Sequence, residues 1–457
     1  MIFLLYPKWA APRKDNGGSP SPDFSSRIFD PRRKRTRARL DFGLRALYEK
    51  LSFRIGCAML KPHTRGMTVL LAFMTAMGPI STDLYVPALP QLAADLATTA
   101  ARVQWTLSSY LMGFAFGQLA YGPLSDKYGR KPLLLAGFFA YLLGTFASGA
   151  AMSIEALTVA RFLQGLGGAG PIIISRAIVR DMYEGARAGR ELSLMSTIMG
   201  IAPIASPMLG GFLVVWFGWR AGFVAMFCAV GVIALCALMF LPETLREKQK
   251  APISLRAVAE SFGVVARHPV WRVYACLQAL GHTGLFTFVA ASPFVLQNVM
   301  KLTPVQFGLG FSACSVAFVS GAALGSRLVG RRGVDGVISL GVACLACGGV
   351  SQTIGHFAFP NDPLALFGPE LLYFLGIGLT LPQSIAGALS PFPERAGAAS
   401  SLQGSAQMTF SAGFSLLVVA LIKDDALPLV LTTLLMGGGS YIVFTASAGL
   451  RRRARQA

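Results

Sequence analysis

A chain of 457 residues with 54% hydrophobic and only 14% charged side chains is not an ordinary soluble protein, whose surface calls for about 25% charged residues. The formal net charge of +20 would point to nucleic acid, but fifteen of the 41 Lys and Arg residues precede Met67 and nearly all the rest fall in alternate short loops. The seven cysteines follow no metal-ligand spacing, and six lie in apolar stretches where cysteine acts as a small hydrophobe. Neither a disulfide framework nor a metal centre is expected, and no cofactor.

Residues 1–66 come first. MIFLLYPKWAAP has a short apolar start with no small-residue cleavage site after it, so it does not read as a signal peptide. RIFDPRRKRTRAR is a basic run suited to anionic lipid. The segment reads as a disordered cytoplasmic tail, or as a stretch ahead of a true start at Met59 or Met67.

Apolar stretches long enough to cross the hydrocarbon core, about 20 residues each, then follow at 67–90, 104–124, 133–152, 155–178, 192–214, 219–241, 270–297, 304–328, 335–356, 364–389, 398–421 and 427–450. Twelve such stretches define an all-α membrane protein. A polar segment at 242–269, opening on LPETLREKQK, divides them into bundles at 67–241 and 270–450, with a basic tail at 451–457. Two equal groups of six are the pattern of a repeat-built transporter. With the N-terminus placed in the cytoplasm, the inner loops and tail hold 21 Lys and Arg and the outer loops hold Arg102, Arg220, Lys301 and Lys423. That bias places both termini in the cytoplasm.

Ionisable residues within membrane spans mark function by default, because their burial is costly. Asp83, in GPISTDLYVPALP, and Arg161, in LTVARFLQGLGGAG, each stand seven positions from the outer end of their stretch, a depth of about 10 Å. Desolvation favours a protonated carboxyl and a nearby guanidinium the ionised one, so a pair opened or hydrated by motion can load and release a proton. A static ion pair, or an aspartate facing water, would use the same residues.

The loop GPLSDKYGRKP offers Gly122 and Gly129 for a tight turn and gathers Asp126, Lys127, Arg130 and Lys131 at the inner face, with Asp181 a candidate partner for Arg130. Such ion pairs can form in one state and break in another. Gly200, Pro203, Pro207, Gly210 and Gly211 punctuate GIAPIASPMLGG, making either a close-packed seam or a hinge. A membrane-embedded enzyme would need a cluster of catalytic side chains at one depth. Four scattered histidines do not supply it.

GPLSDKYGRK resembles the signature loop of the major facilitator superfamily. STDLYVPALPQLA, FGQLAYGPLSDKYGRKP, ARFLQGLGGAG with ISRAIVRD, and APIASPMLGG followed by WR are similar to the Bcr/CflA (bicyclomycin and chloramphenicol resistance) branch. The corresponding loop of the second half, GSRLVGRRG from Gly325 to Gly333, keeps the bases and lacks the acid, which leaves the charge switch resting on Asp126. The resemblance implies the major facilitator fold and a proton-driven multidrug exporter of the bacterial inner membrane, monomeric, with protons, lipid and small amphipathic compounds as partners and no nucleic acid. Proton-coupled transport of a small metabolite, in either direction, is the alternative. It also assigns proton coupling to Asp83 and Arg161 and gating to Asp126. In that fold the cavity lining would include Met77, Tyr85 and Gln164 from the first half and Gln278, His282, Phe286 and Gln383 from the second. His282 either titrates or bonds a neighbouring helix.

Overall fold

The computed structural model describes residues 64–183, 185–245, 255–360, 362–392, 395–422 and 425–456. The basic segment at 1–63 and the middle of the expected linker lie outside them. Every regular element among the described residues is helical, as a chain must be where no water can satisfy its backbone.

Helix α1 (Arg65–Asp83) is followed by a single 3₁₀ turn at Val86–Ala88 and the short α2 (Leu89–Asp95). Then come α3 (Ala100–Tyr128), α4 (Arg130–Gly149), α5 (Ile154–Met182), α6 (Gly185–Phe217) and α7 (Arg220–Phe240). After the linker, α8 (Leu255–Arg267) leads into α9 (Pro269–Pro293), whose last turns widen to a π-helix at Phe294–Val299. α10 (Pro304–Ala358), α11 (Pro363–Leu389), α12 (Ala396–Leu421), α13 (Leu427–Ala446) and α14 (Ala448–Gln456) complete the chain.

Among the described residues ten helices are long and apolar enough to cross a membrane. One of them, α10, is two crossings folded at Gly333, whose φ of 67° no helix interior adopts. The twelfth crossing is α3, which the same criterion omits because Gln104, Thr106, Ser108, Ser109 and Gln118 make it polar. The expected twelve therefore stand.

Local chemistry sets the helix ends. Thr99 and Ser153 cap α3 and α5 through their hydroxyls, Thr303 and Gln306 form a capping box on α10, and Asp362 caps α11. Each satisfies backbone donors that the first turn leaves open. The helices alternate between two faces. The basic face carries the Gly129 and Gly333 turns and α14; the opposite face carries the starts of α3, α5, α10 and α11.

Three elements differ from the sequence reading. Span 1 does not run unbroken to Pro90: α1 stops at Asp83, where Leu84 and Tyr85 lead into the 3₁₀ turn. The linker contains a helix, α8, whose Val265 joins a core cluster with Trp271 and Tyr274 of α9. The tail belongs to α14, and its Arg451 is buried.

The two six-helix bundles meet along two seams. Between α6 and α10, a Cβ on Gly211 would come 2.5 Å from the carbonyl of Pro304, and one on Gly308 equally close to that of Pro207. Glycine at both points lets the backbones touch. Between α3 and α12, Gln104 donates to Ser415 (3.0 Å), Ser108 to the Ala412 carbonyl (3.2 Å) and Ser405 to that of Ala115 (3.1 Å). Gln297 also donates to the carbonyl of Pro87 at 3.2 Å. These contacts run from the opposite face to about mid-depth.

Candidate functional site

Arg161 is the most deeply buried charge of the first bundle, with no exposed surface. A close-packed run of glycines on α5 puts it there. Gly165 abuts the carbonyl of Tyr110 on α3, and Gly167 abuts the backbone of Tyr141 on α4. The guanidinium lies between two rings, with Cζ 4.7 Å from the centre of Tyr85 and 4.5 Å from that of Tyr110; Phe223 is 5.8 Å away. It donates to the Gln164 side chain and, at 3.4 Å, to the carbonyl of Ser81.

Gln164 passes the contact on to Thr145 at 2.8 Å, and Tyr85 to Thr106 at 2.9 Å. Arg161 Nε has no partner. Two desolvated cation–π contacts of about 2 kcal/mol each offset only part of a desolvation cost of several kcal/mol. The site is a held cation short of an anion.

The expected pair is not made in this conformation. Asp83, nearly buried, accepts from Thr82 Oγ1 at 2.9 Å, and no ion pair joins it to Arg161. The reason is the helix break. Asp83 is the last residue of α1, and the carbonyl of Ser81, two residues earlier, meets the guanidinium instead. The pair that equal depth makes possible is therefore not formed here.

At the basic face the expected charge cluster is assembled. Arg130 reaches Asp126 (2.6 Å), Asp181 (2.8 Å) and Ser125 (2.6 Å), tying α3 to α5. Gly122 does not contribute to the turn, because α3 runs helically through it to Tyr128. Gly129 alone turns the chain, at a φ of 108°, a region open to glycine at little cost. The Lys131 side chain is buried.

The sequence reading missed Glu243. Its carboxylate accepts from the backbone N–H of Arg130 (3.0 Å) and of Lys131 (3.2 Å), capping α4 from the far end of the bundle. Thr244 adds a bond to Asp181 at 3.3 Å. The ET of LPETLR was the available signal.

The loop from Gly325 to Gly333 has no acid, but the second half has a counterpart just beyond it. The acid has moved past the turn. Asp335 binds Arg451 of α14 at 3.1 Å and accepts from Tyr274 of α9 at 2.6 Å, while Arg451 stacks on Phe444 at 3.9 Å. The glycine–proline run of α6 packs as a seam. Gly210 abuts Leu84 at the α1 break, Gly211 and Pro207 abut α10, and Gly200 makes ordinary contact with Val319. Pro203 lies within the same helix.

Met77, Tyr85, Gln164, Gln278, Phe286 and Gln383 are buried. Gln278 bonds Gln403 and Gln407 of α12. His282 bonds Ser411 of the same helix at 2.9 Å and stacks on Phe286. The three glutamine amides bond one another across α9 and α12, with Gln403 Oε1 left without a partner. A cavity of about 380 Å³ opens at the opposite face, lined by Val295, Met300, His356 and Asp425 among others.

Two bundles of six membrane helices, joined by polar and glycine seams and enclosing unpaired ionisable groups, define a polytopic membrane transporter. The chain belongs to the Major Facilitator Superfamily, whose family profile matches residues 71–416.

It is 29% identical to the bicyclomycin resistance protein homolog of Haemophilus influenzae over 365 residues, covering 79% of this chain and 91% of that protein. It is 29% identical to the chloramphenicol resistance protein of Pseudomonas aeruginosa over 376 residues, 79% and 86% of the two chains. With the multidrug resistance protein MdtL of Salmonella heidelberg the identity is 31% over 339 residues, 72% and 82% of the two chains. Among solved structures, a POT family transporter in complex with a thioalcohol-conjugated peptide matches with a TM-score of 0.71 at 12% identity, over 87% and 98% of the chains. The xylose transporter XylE from E. coli, partially occluded and inward open, matches at 0.65 and 13%, over 84% and 97%. At these identities the structural matches bear on the fold.

Proposed function

We infer that the chain is a proton-coupled multidrug efflux carrier of the bacterial inner membrane, exporting small amphipathic compounds by alternating access. The observation that carries the coupling is Arg161, a buried guanidinium with a free donor, held at the carbonyl of Ser81 two residues from the carboxyl of Asp83. The relatives named for bicyclomycin, chloramphenicol and multidrug resistance support the substrate class.

The loop-charge bias supports placing the basic face and both termini in the cytoplasm. The bundle seams then close the outer side, and the chain stands in an inward-facing or occluded state. A drug entering between the bundles would meet the Gln278–Gln403–Gln407 network and the Arg161 cage, where stacked aromatics and exchangeable amide bonds suit varied ligands. With a proton loaded, Asp83 is neutral and offers Arg161 no counter-charge; with the proton released, it offers the anion that Arg161 lacks. Differential attraction of the two helices is what the cycle needs to move its equilibrium. The complex of Asp126, Arg130, Asp181 and Glu243 acts as a unit that stiffens the cytoplasmic end of the first bundle while the bundles rock.

The test is drug susceptibility in a host lacking its principal pumps. The parent should raise resistance to chloramphenicol or bicyclomycin, and Asp83→Asn, inserted at equal level, should return it to the vector baseline. Resistance retained by the variant removes Asp83 from the mechanism. No effect of the parent on any drug, with transport of a small metabolite detected instead, favours the alternative reading.

A further inference from the structure

The second bundle holds a buried acid that the cycle above does not use. Glu370 stands on α11, seven residues inside its start at Pro363, about 10 Å along the axis. α11 is the fourth crossing of its bundle, as α5 is of the first, and Arg161 stands seven residues inside Ile154. The repeat thus places a buried acid where its counterpart places a buried base.

Glu370 has no exposed surface, and no described residue forms an ion pair with it. Its partner is Gln352, also fully buried, whose Nε2 donates to Glu370 Oε2 at 2.9 Å and to the carbonyl of Leu366 at 3.3 Å. Two acceptors are left over: Glu370 Oε1 and Gln352 Oε1. An ionised carboxylate has only acceptors, so it leaves both oxygens orphaned and an unpaired charge out of water. One proton on Glu370 Oε1 changes this. The carboxylic acid becomes a donor beside an amide that already donates to its other oxygen, and donor and acceptor then match on both sides.

We propose that Glu370, closed by Gln352, is a second proton-binding site of this carrier, loaded as the neutral acid in the conformation seen here. Cys314 on α10 and Tyr373 one turn along α11 are its titratable neighbours. On α9, His282 is engaged by Ser411, and α12 carries no ionisable side chain. His356 follows Gln352 by one turn of α10, lies 3.4 Å from Asp425 and lines the 380 Å³ cavity at the opposite face. A single helical turn therefore separates the Gln352 amide from a route to water. Asp83 and Glu370 would each carry a proton, one in each bundle.

The proposal rests on the carrier reading but is tested without transport. Infrared spectra of the purified full-length protein, recorded from mildly acidic to alkaline pH, should show the C=O stretch of a protonated carboxyl. Glu370→Gln should remove a component of that band which Asp83→Asn leaves, and this component should bleach reversibly at alkaline pH. A second probe uses the parent alone: dicyclohexylcarbodiimide, which modifies protonated carboxyls in apolar sites, should label the Glu370 peptide, less so as pH rises.

An unchanged acid band in Glu370→Gln, or an unlabelled Glu370 peptide in the parent, overturns the proposal. A band that persists through the whole range in which the protein stays folded overturns it too, since the group would then be a fixed acid. Loss of drug export with an intact, titrating band would fault the substrate reading and leave this one standing.

Discussion

The two bundles share one architecture and divide their charges differently. At equivalent depths on equivalent helices the first holds Arg161, caged by Tyr85 and Tyr110 with no carboxylate bound, and the second holds Glu370, tied to Gln352 with no cation bound. Their basic-face turns diverge in the same way. Both pivot on one glycine of positive φ, Gly129 or Gly333, but the acid precedes the first turn as Asp126 and follows the second as Asp335. A repeat therefore fixes the scaffold and leaves the chemistry free. In this conformation neither buried group has a counter-charge bound among the described residues, which makes both sensitive to a change in solvent access.

The sharpest way to break this comparison is at the two turns. Asp335→Asn takes the counter-charge from Arg451, whose side chain is 4% exposed and keeps only neutral partners, the Phe444 carbonyl and Ser447, and removing one partner of a buried pair costs about 3–5 kcal/mol. Asp126→Asn leaves Arg130 its bond to Asp181, and the Asp126 side chain is 49% exposed, so the loss should stay near ~1 kcal/mol. Thermal unfolding in detergent should rank Asp335→Asn well below Asp126→Asn. Equal midpoints would mean that the second turn is not latched by α14.

A smaller effect is expected at the seam. Gly211→Leu must displace the Pro304 carbonyl, an overpacking cost of about 1–3 kcal/mol, and should reduce export by prising the bundles apart. Gly200→Ala, facing Val319 at an ordinary 3.5 Å, should be tolerated. If the two behave alike, the α6–α10 contact is not what closes this face. Smallest is Glu243→Gln, which weakens the cap on Arg130 and Lys131 and should lower stability by about 1 kcal/mol. An unchanged midpoint would reduce Glu243 to a surface acid.

Much of this was legible in the residues. Hydropathy and loop charge identify twelve crossings because lipid selects composition; Asp83 and Arg161 stand out because charge within a span is rare, and Asp126 because it is an acid in a basic loop. What escaped depends on contacts between helices. Glu370 lies within its apolar stretch beside Pro369, and its role emerges only when Gln352 is seen against it. Glu243 reads as linker because its partners lie 113 residues earlier. The expected Asp83–Arg161 contact failed through the break at Leu84, which an apolar run with Pro87 and Pro90 does not locate. The polar matching of α12 to α3 and α9 likewise has no periodic signature.

The central claim is that substrate export is driven by protons moved through Asp83 beside Arg161. Proteoliposomes holding the purified carrier and an internal pH indicator test it most directly. Adding chloramphenicol or bicyclomycin to the parent should produce substrate-dependent proton movement. Asp83→Asn and Arg161→Lys should each reduce that rate at least tenfold, a change of about 1.4 kcal/mol or more, since lysine cannot reproduce the stacked, forked guanidinium. Proton movement at parental rate in correctly inserted Asp83→Asn would contradict the account.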